Sequence, residues 1–163
     1  MTTIVIANKN SDFKLITELA SIIWKEHYTP IIGIEQVEYM LEKFQSVSAI
    51  KKQIEEGAKY FMISHEDSAV GYLSVSKKEN SLFLSKIYIL SSSRGKRIGK
   101  TAMQFIENLA KEKQCNSISL TVNKYNTNSI KAYEKMGFKN IEELIMDIGN
   151  GYVMDDYKMK KKI

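Results

Sequence analysis

The chain has 163 residues, of which 44% are hydrophobic and 26% charged, with a net charge of +5; this describes one globular domain, 1–163, with no run of 18 apolar residues to span a membrane. The opening MTTIVIANKN lacks the basic start and apolar stretch of a secretory leader. Cys115 is the only cysteine and His27 and His65 the only histidines, so no internal disulfide, zinc cluster or other metal site is expected, and the cytoplasm is the expected compartment.

In chain order, Thr3–Ala7 is short and β-branched and reads as a first strand. Ser11 or Asp12 can cap a helix whose buried face is Phe13, Ile16, Leu19, Ala20, Ile23 and Trp24, ending near His27. Residues 28–33 hold the only proline, which is expected to break that helix. A second helix carries Ile34, Val37, Met40, Leu41 and Phe44. A third amphipathic stretch starts at Ser48, runs through Ile50 and Ile54, and closes at Gly57. Strand chemistry follows at Tyr60–Ser64, Val70–Val75 and Leu82–Leu90, joined by polar turns at Glu66-Asp67-Ser68 and Glu79-Asn80-Ser81, an antiparallel meander. A helix over Gly99–Lys113, a strand at Ser117–Val122 and a helix over Asn128–Met136, stopped by Gly137, come next. Two strands, about 138–148 and 152–160, flank Gly149-Asn150-Gly151, a hairpin signal. The order β, helices, three β, α, β, α, β, β is an α+β arrangement with a mixed sheet.

The most informative segment is SSSRGKRIGK, residues 91–100. It joins an apolar strand to an amphipathic helix whose apolar side is Ala102, Met103, Phe105, Ile106, Leu109 and Ala110. Free backbone N–H groups and the positive end of the dipole meet at a helix N-terminus, which suits phosphate. Arg94, Lys96, Arg97 and Lys100 add charge there, with Gly95, Ile98 and Gly99 between them. The spacing is that of neither a P-loop nor a dinucleotide-binding turn.

The segment resembles the pyrophosphate-binding signature of the GNAT superfamily of acetyl-CoA-dependent N-acetyltransferases, Arg/Gln-x-x-Gly-x-Gly/Ala. Arg94 fills the first position and Gly99 the last, while Arg97 replaces the middle glycine. A second motif follows. SLTVNKYNTNSIKAYEKMGF, residues 119–138, resembles the superfamily's strand, Asn-x-x-Ala-x-x-x-Tyr helix and Gly-Phe, through Asn126, Asn128, Ser129, Tyr133, Gly137 and Phe138. Ser129 stands where alanine is usual. The segments WKEHY, EQVEYML and MDIGNGYVMDDYKM are similar to a bacterial branch that includes polyamine acetyltransferases.

The resemblance implies a GNAT-like, mostly antiparallel central sheet flanked by helices. The coenzyme half would span about 60–140 and the acceptor-side elements about 11–57 and 140–160. It implies that acetyl-CoA lies with its pantetheine arm beside the backbone of Ile87, Tyr88 and Ile89, like an added strand. A backbone N–H there would polarise the thioester carbonyl. Asn126 and Asn128 would hydrogen-bond the arm, and Tyr133 would be the catalytic acid. A phenol of pKa ~10 can protonate a thiolate whose acid lies near ~8.5.

The strand before the phosphate turn has Phe83, Leu84, Ser85 and Lys86 but no carboxylate, so the general base must come from elsewhere. Candidates are Glu26, His27, Glu35 and Glu38 from the first two helices and Asp147, Asp155 and Asp156 from the last hairpin. The expected function is acetyl transfer to a primary amine, on a small molecule or a protein, in a ternary complex, by a monomer or homodimer. The alternatives are an acyl-CoA sensor without turnover and a small basic nucleic-acid-binding protein. No base-reading motif supports the latter, and no nucleic-acid partner is expected.

Overall fold

The computed structural model describes residues 1–163. Its elements are β1 (Thr2–Ile6), α1 (Asn10–Ile32), α2 (Ile34–Gln45), α3 (Val47–Glu55), β2 (Lys59–His65), β3 (Ser68–Lys78), β4 (Ser81–Ile89), α4 (Ile98–Glu112), β5 (Ser117–Asn123), α5 (Thr127–Lys135), β6 (Lys139–Gly149) and β7 (Tyr152–Lys162). The seven strands form one sheet in the order β1-β2-β3-β4-β5-β7-β6. Only β4 and β5 run parallel, and the other neighbours are antiparallel. This is the mixed, mostly antiparallel sheet expected. No helix is long and apolar enough to cross a membrane.

Each face of the sheet buries its own core, because alternate strand residues point to opposite faces. On one face Ile63, Leu73, Leu82, Leu84 and Ile118 pack with Ile98, Ala102 and Ile106 of α4. On the other, Tyr60 and Tyr72 pack with Ile16, Ile23 and Trp24 of α1 and with Ile50 of α3. The period of the apolar residues in α1 and α4 is what lays both helices flat on the sheet.

The first helix departs from the sequence expectation. It does not break at Tyr28 but continues to Ile32 with Pro30 inside its last turn. The proline removes one bond near the end, where the ladder is about to stop anyway. The stop itself is Gly33, at φ 84°, whose N–H reaches the Thr29 carbonyl at 3.0 Å. Caps also shift. Asp12 accepts at Oδ2 from the N–H groups of Asn8 (3.0 Å) and Lys9 (3.1 Å), capping from inside the helix. Ser46, not Ser48, caps α3 by accepting from Ala49 N–H at 3.2 Å.

Two features of β4 shape the site. Parallel pairing with β5 holds only for Ser81–Ser117, Leu82–Ile118 and Phe83–Ser119, after which the strands diverge. Opposite β3, Ser74 pairs with Lys86 and Val75 with Leu84, so Ser85 is the extra residue of a β-bulge. A bulge reverses the alternation. Leu82 and Leu84 face α4 before it, and Ile87 and Ile89 face α4 after it, while Tyr88 joins the opposite core.

Gly71 of β3 holds β4 at close range. A Cβ added there would stand 2.2 Å from the Tyr88 carbonyl oxygen and 3.1 Å from Ile89 Cα. Both atoms are backbone and cannot rotate away. Gly71→Ala is therefore expected to destabilise the protein by about 3 kcal/mol or more, lowering Tm by roughly 6–12 °C for a chain of this size. Melting of the variant within a degree or two of the parent would contradict this packing.

Candidate active site

The segment between β4 and α4 makes the phosphate-binding geometry from backbone. A single 3-10 turn at Ser91–Ser93 leads to Arg94, then Gly95 at φ 81° and Arg97 at φ 61°, ψ 17°. Arg97 occupies the left-handed region, which explains why glycine suits this place. An L side chain there costs about 1–2 kcal/mol. Arg97 is also the residue before α4, and no side chain caps that helix. No acidic residue stands in its first turn either, so its free N–H groups lack a resident anion.

The turn opens into a cavity of about 940 Å³. Arg94, Gly95, Arg97, Ile98 and Gly99 line its phosphate end. Lys96 and Lys100 are exposed and are not among the lining residues. Ile87, Tyr88 and Ile89 form one long wall, where β4 has already parted from β5 and its backbone faces the cavity. Across from it, Asn126, Asn128 and Tyr133 line the wall from the β5–α5 side.

These three residues have different surroundings. Asn126 is buried and is the cap of α5, a role that sequence reading gave to Asn128. Its Oδ1 accepts from Ser129 N–H at 3.3 Å, and that bond orients the amide so that Nδ2 donates to His27 Nε2 at 2.8 Å. Burial, and then the charge of Arg94, push the His27 pKa down, so the ring is neutral and accepts. Asn128 is exposed. Tyr133 packs its ring edge-on against Phe138, with centroids 5.7 Å apart, and its hydroxyl makes no hydrogen bond within the protein. Burial, and then the neighbouring Tyr28 phenol, raise its pKa, so the proton stays on the oxygen at neutral pH.

The candidate bases separate clearly. Glu26 accepts from Ser91 Oγ at 3.0 Å, and Asp155 pairs with Lys124 at 2.9 Å. Glu35 is exposed, and Glu38 lines a different hollow behind α1 and α2. His27, Asp147 and Asp156 line the main cavity, and His27 is committed to Asn126. Asp156, on β7, is 3% exposed. Burial, and then the charge of Asp155, push its pKa up to about 6. Beside it Tyr28 and Tyr88 share a hydroxyl–hydroxyl bond of 2.9 Å, on the aromatic floor that Trp24 completes.

Sequence reading missed Lys86. The bulge at Ser85 turns Lys86 to the α3 side of the sheet, where it lines the cavity and donates to Gln53 of α3. Its alternation would have placed it correctly only if the bulge had been known.

Residues 16–138 match the family model of the Acetyltransferase (GNAT) family. A spermidine N(1)-acetyltransferase from Thermoplasma acidophilum is 26% identical over 133 residues, covering 78% of this chain and 83% of that protein. The crystal structure of PaiA N-acetyltransferase from the same organism, in complex with coenzyme A, superposes with a TM-score of 0.79 at 23% identity, over 99% of both chains. A GCN5-related N-acetyltransferase from Rhodopseudomonas palustris superposes with a TM-score of 0.83 at 14% identity, over 100% of this chain and 96% of that one.

Gly99 gives a clean test of the phosphate end. An added Cβ would touch only Ile89 Cδ1, at 3.8 Å, so the fold tolerates a side chain there. A carboxylate would repel phosphate from the helix N-terminus. Gly99→Asp is expected to keep the parent Tm and to weaken acetyl-CoA binding by about 100-fold, as like charges at one ion site cost a few kcal/mol. Titration calorimetry checks it; parent-like affinity would place the phosphates elsewhere.

Proposed function

The chain belongs to the GNAT acetyltransferase family, and we propose that it moves the acetyl group of acetyl-CoA to a primary amine by direct attack in a ternary complex. The observation that supports this best is the single cavity. It joins an uncapped helix N-terminus, an unpaired strand edge, a free phenol and a carboxylate of raised pKa. A sensor of acyl-CoA would use the first two and have no use for the last two.

Each residue then has a task. Arg94, Arg97 and the N–H groups at the start of α4 hold the pyrophosphate. The backbone of Ile87–Ile89 takes the amide-bearing arm as an extra strand, and a backbone N–H there polarises the carbonyl. His27 fixes Asn126 and so the start of α5, which carries Tyr133. The acceptor enters from the side of α1, α2 and the β6–β7 hairpin. Asp156 takes a proton from the amine as nitrogen bonds to the carbonyl carbon. The C–S bond breaks, and Tyr133 gives its proton to the departing sulfur. Holding both substrates together supplies much of the remaining acceleration.

Asp156 is a base only when ionised. With its pKa near 6, the rate is expected to rise as pH increases through about 6. Asp156→Asn is expected to flatten that limb and lower the rate by about 10²-fold or more. Tyr133→Phe keeps the ring against Phe138 and is expected to slow the acetyl-transfer step about 10²–10⁴-fold with acetyl-CoA affinity nearly unchanged. Rapid-quench measurement of the chemical step across pH tests both. A phenylalanine variant with a parent-like chemical step would remove Tyr133 from the reaction, and an unaltered acid limb in the asparagine variant would remove Asp156.

A further inference from the structure

The acceptor half of the cavity carries opposite charges on its two walls. Asp156 stands on β7. On β4, at the bulge, stands Lys86. The Lys86 ammonium donates to Ser85 Oγ at 3.1 Å and to Gln53 Oε1 at 3.4 Å, and it lies 5.7 Å from the centre of the Tyr60 ring. Gln53 is itself fixed: its Nε2 donates to the Phe44 carbonyl at 2.8 Å, and its Oε1 also accepts from the Tyr60 hydroxyl. The ammonium is thus aimed by neutral groups that cannot cancel its charge.

No carboxylate does so either. Lys86 is in none of the five ion pairs of the protein. Burial alone pushes its pKa down to about 8, and at pH 7 it is still mostly protonated. A half-enclosed cation without a counter-ion is costly, and an anion entering the cavity relieves that cost. Lys43 of α2 lines the same half and donates to the Ile148 carbonyl, bringing a second positive charge.

Resting on the acetyl-transfer reading above, we propose that Lys86 binds a carboxylate of the acceptor, so that the amine acetylated belongs to an amino acid or a related amino-carboxylate and not to a polyamine. The charges fit one molecule. Asp156 draws the amine to be acetylated, and Lys86 pairs with the carboxylate. Met40, Phe44 and Met154 offer apolar wall to the carbon chain. One lysine among neutral partners matches a monoanion; a phosphate dianion would keep uncancelled charge against that apolar wall. A polyamine would instead bring a second ammonium toward Lys86, which repels it.

Matched acceptors that differ by one carboxylate test this: ornithine against putrescine, and lysine against cadaverine, with coenzyme release as readout. The parent protein is expected to favour the amino acid of each pair in kcat/KM by about tenfold or more, the usual worth of a charged hydrogen bond. Lys86→Met, similar in volume and uncharged, is expected to lower the value for the amino acid and raise that for the diamine, shrinking the ratio at least about tenfold. Lys86→Arg retains the charge and is expected to retain the direction of preference. A parent that favours the diamines, or a ratio unmoved in Lys86→Met, overturns the assignment while leaving acetyl transfer intact. Acetyl-CoA binding without transfer to any of the four amines overturns both readings together.

Discussion

Strands β4 and β5 begin as parallel neighbours and part after three residue pairs, and the site is made of what this separation leaves open. Beyond Phe83 one edge of β4 has no strand beside it. Backbone N–H and C=O groups without partners are costly unless water or a ligand meets them. Here they line a cavity large enough for a long, thin ligand, and the ligand can complete the ladder that β5 abandons. At the far end of the gap the chain turns through Gly95 and Arg97 into an uncapped helix. The same divergence thus yields both a place for amides and a place for phosphates.

The walls of the gap are tied together across it. His27 of α1 holds Asn126 at the start of α5, Tyr28 of α1 holds Tyr88 of β4, and Tyr39 of α2 donates to the Ile148 carbonyl of β6 at 2.6 Å. Each bond joins elements distant in sequence. Each also places a group that the chemistry uses: Tyr133 through Asn126, the β4 wall through Tyr88, and the acceptor entrance through the β6–β7 hairpin. The buried phenols and Asp156 keep their protons to higher pH than they would in water because the surroundings are apolar. A carboxylate near pKa 6 beside a phenol that stays protonated is a suitable base and acid pair at neutral pH.

Much of this was legible in the residues. The switch of periodicity at residues 91–100 located the phosphate turn, and the Asn126–Phe138 segment located α5 and Tyr133, because both signals are local. The unexpected features are relations between distant segments. Pro30 fits within α1 because the helix ends three residues later at Gly33, which local propensity alone does not show. The bulge at Ser85 depends on what β3 offers opposite, so the direction of Lys86 could not be read from β4. Gly71 looks like an ordinary strand residue until the Tyr88 carbonyl is found against it. Asp155 and Asp156 are adjacent in sequence, and only strand pleating decides that one meets Lys124 while the other meets the cavity.

The central claim is that the open edge of β4 receives the coenzyme arm as an added strand. Amide hydrogen exchange, with and without saturating acetyl-CoA, tests it most directly. The account predicts that slowed exchange concentrates in the peptides covering Ile87–Ile89 and the start of α4, beyond any general slowing from stabilisation. Acetyl-CoA that stabilises the whole protein while leaving Ile87–Ile89 no more protected than β1 or β2 would contradict it.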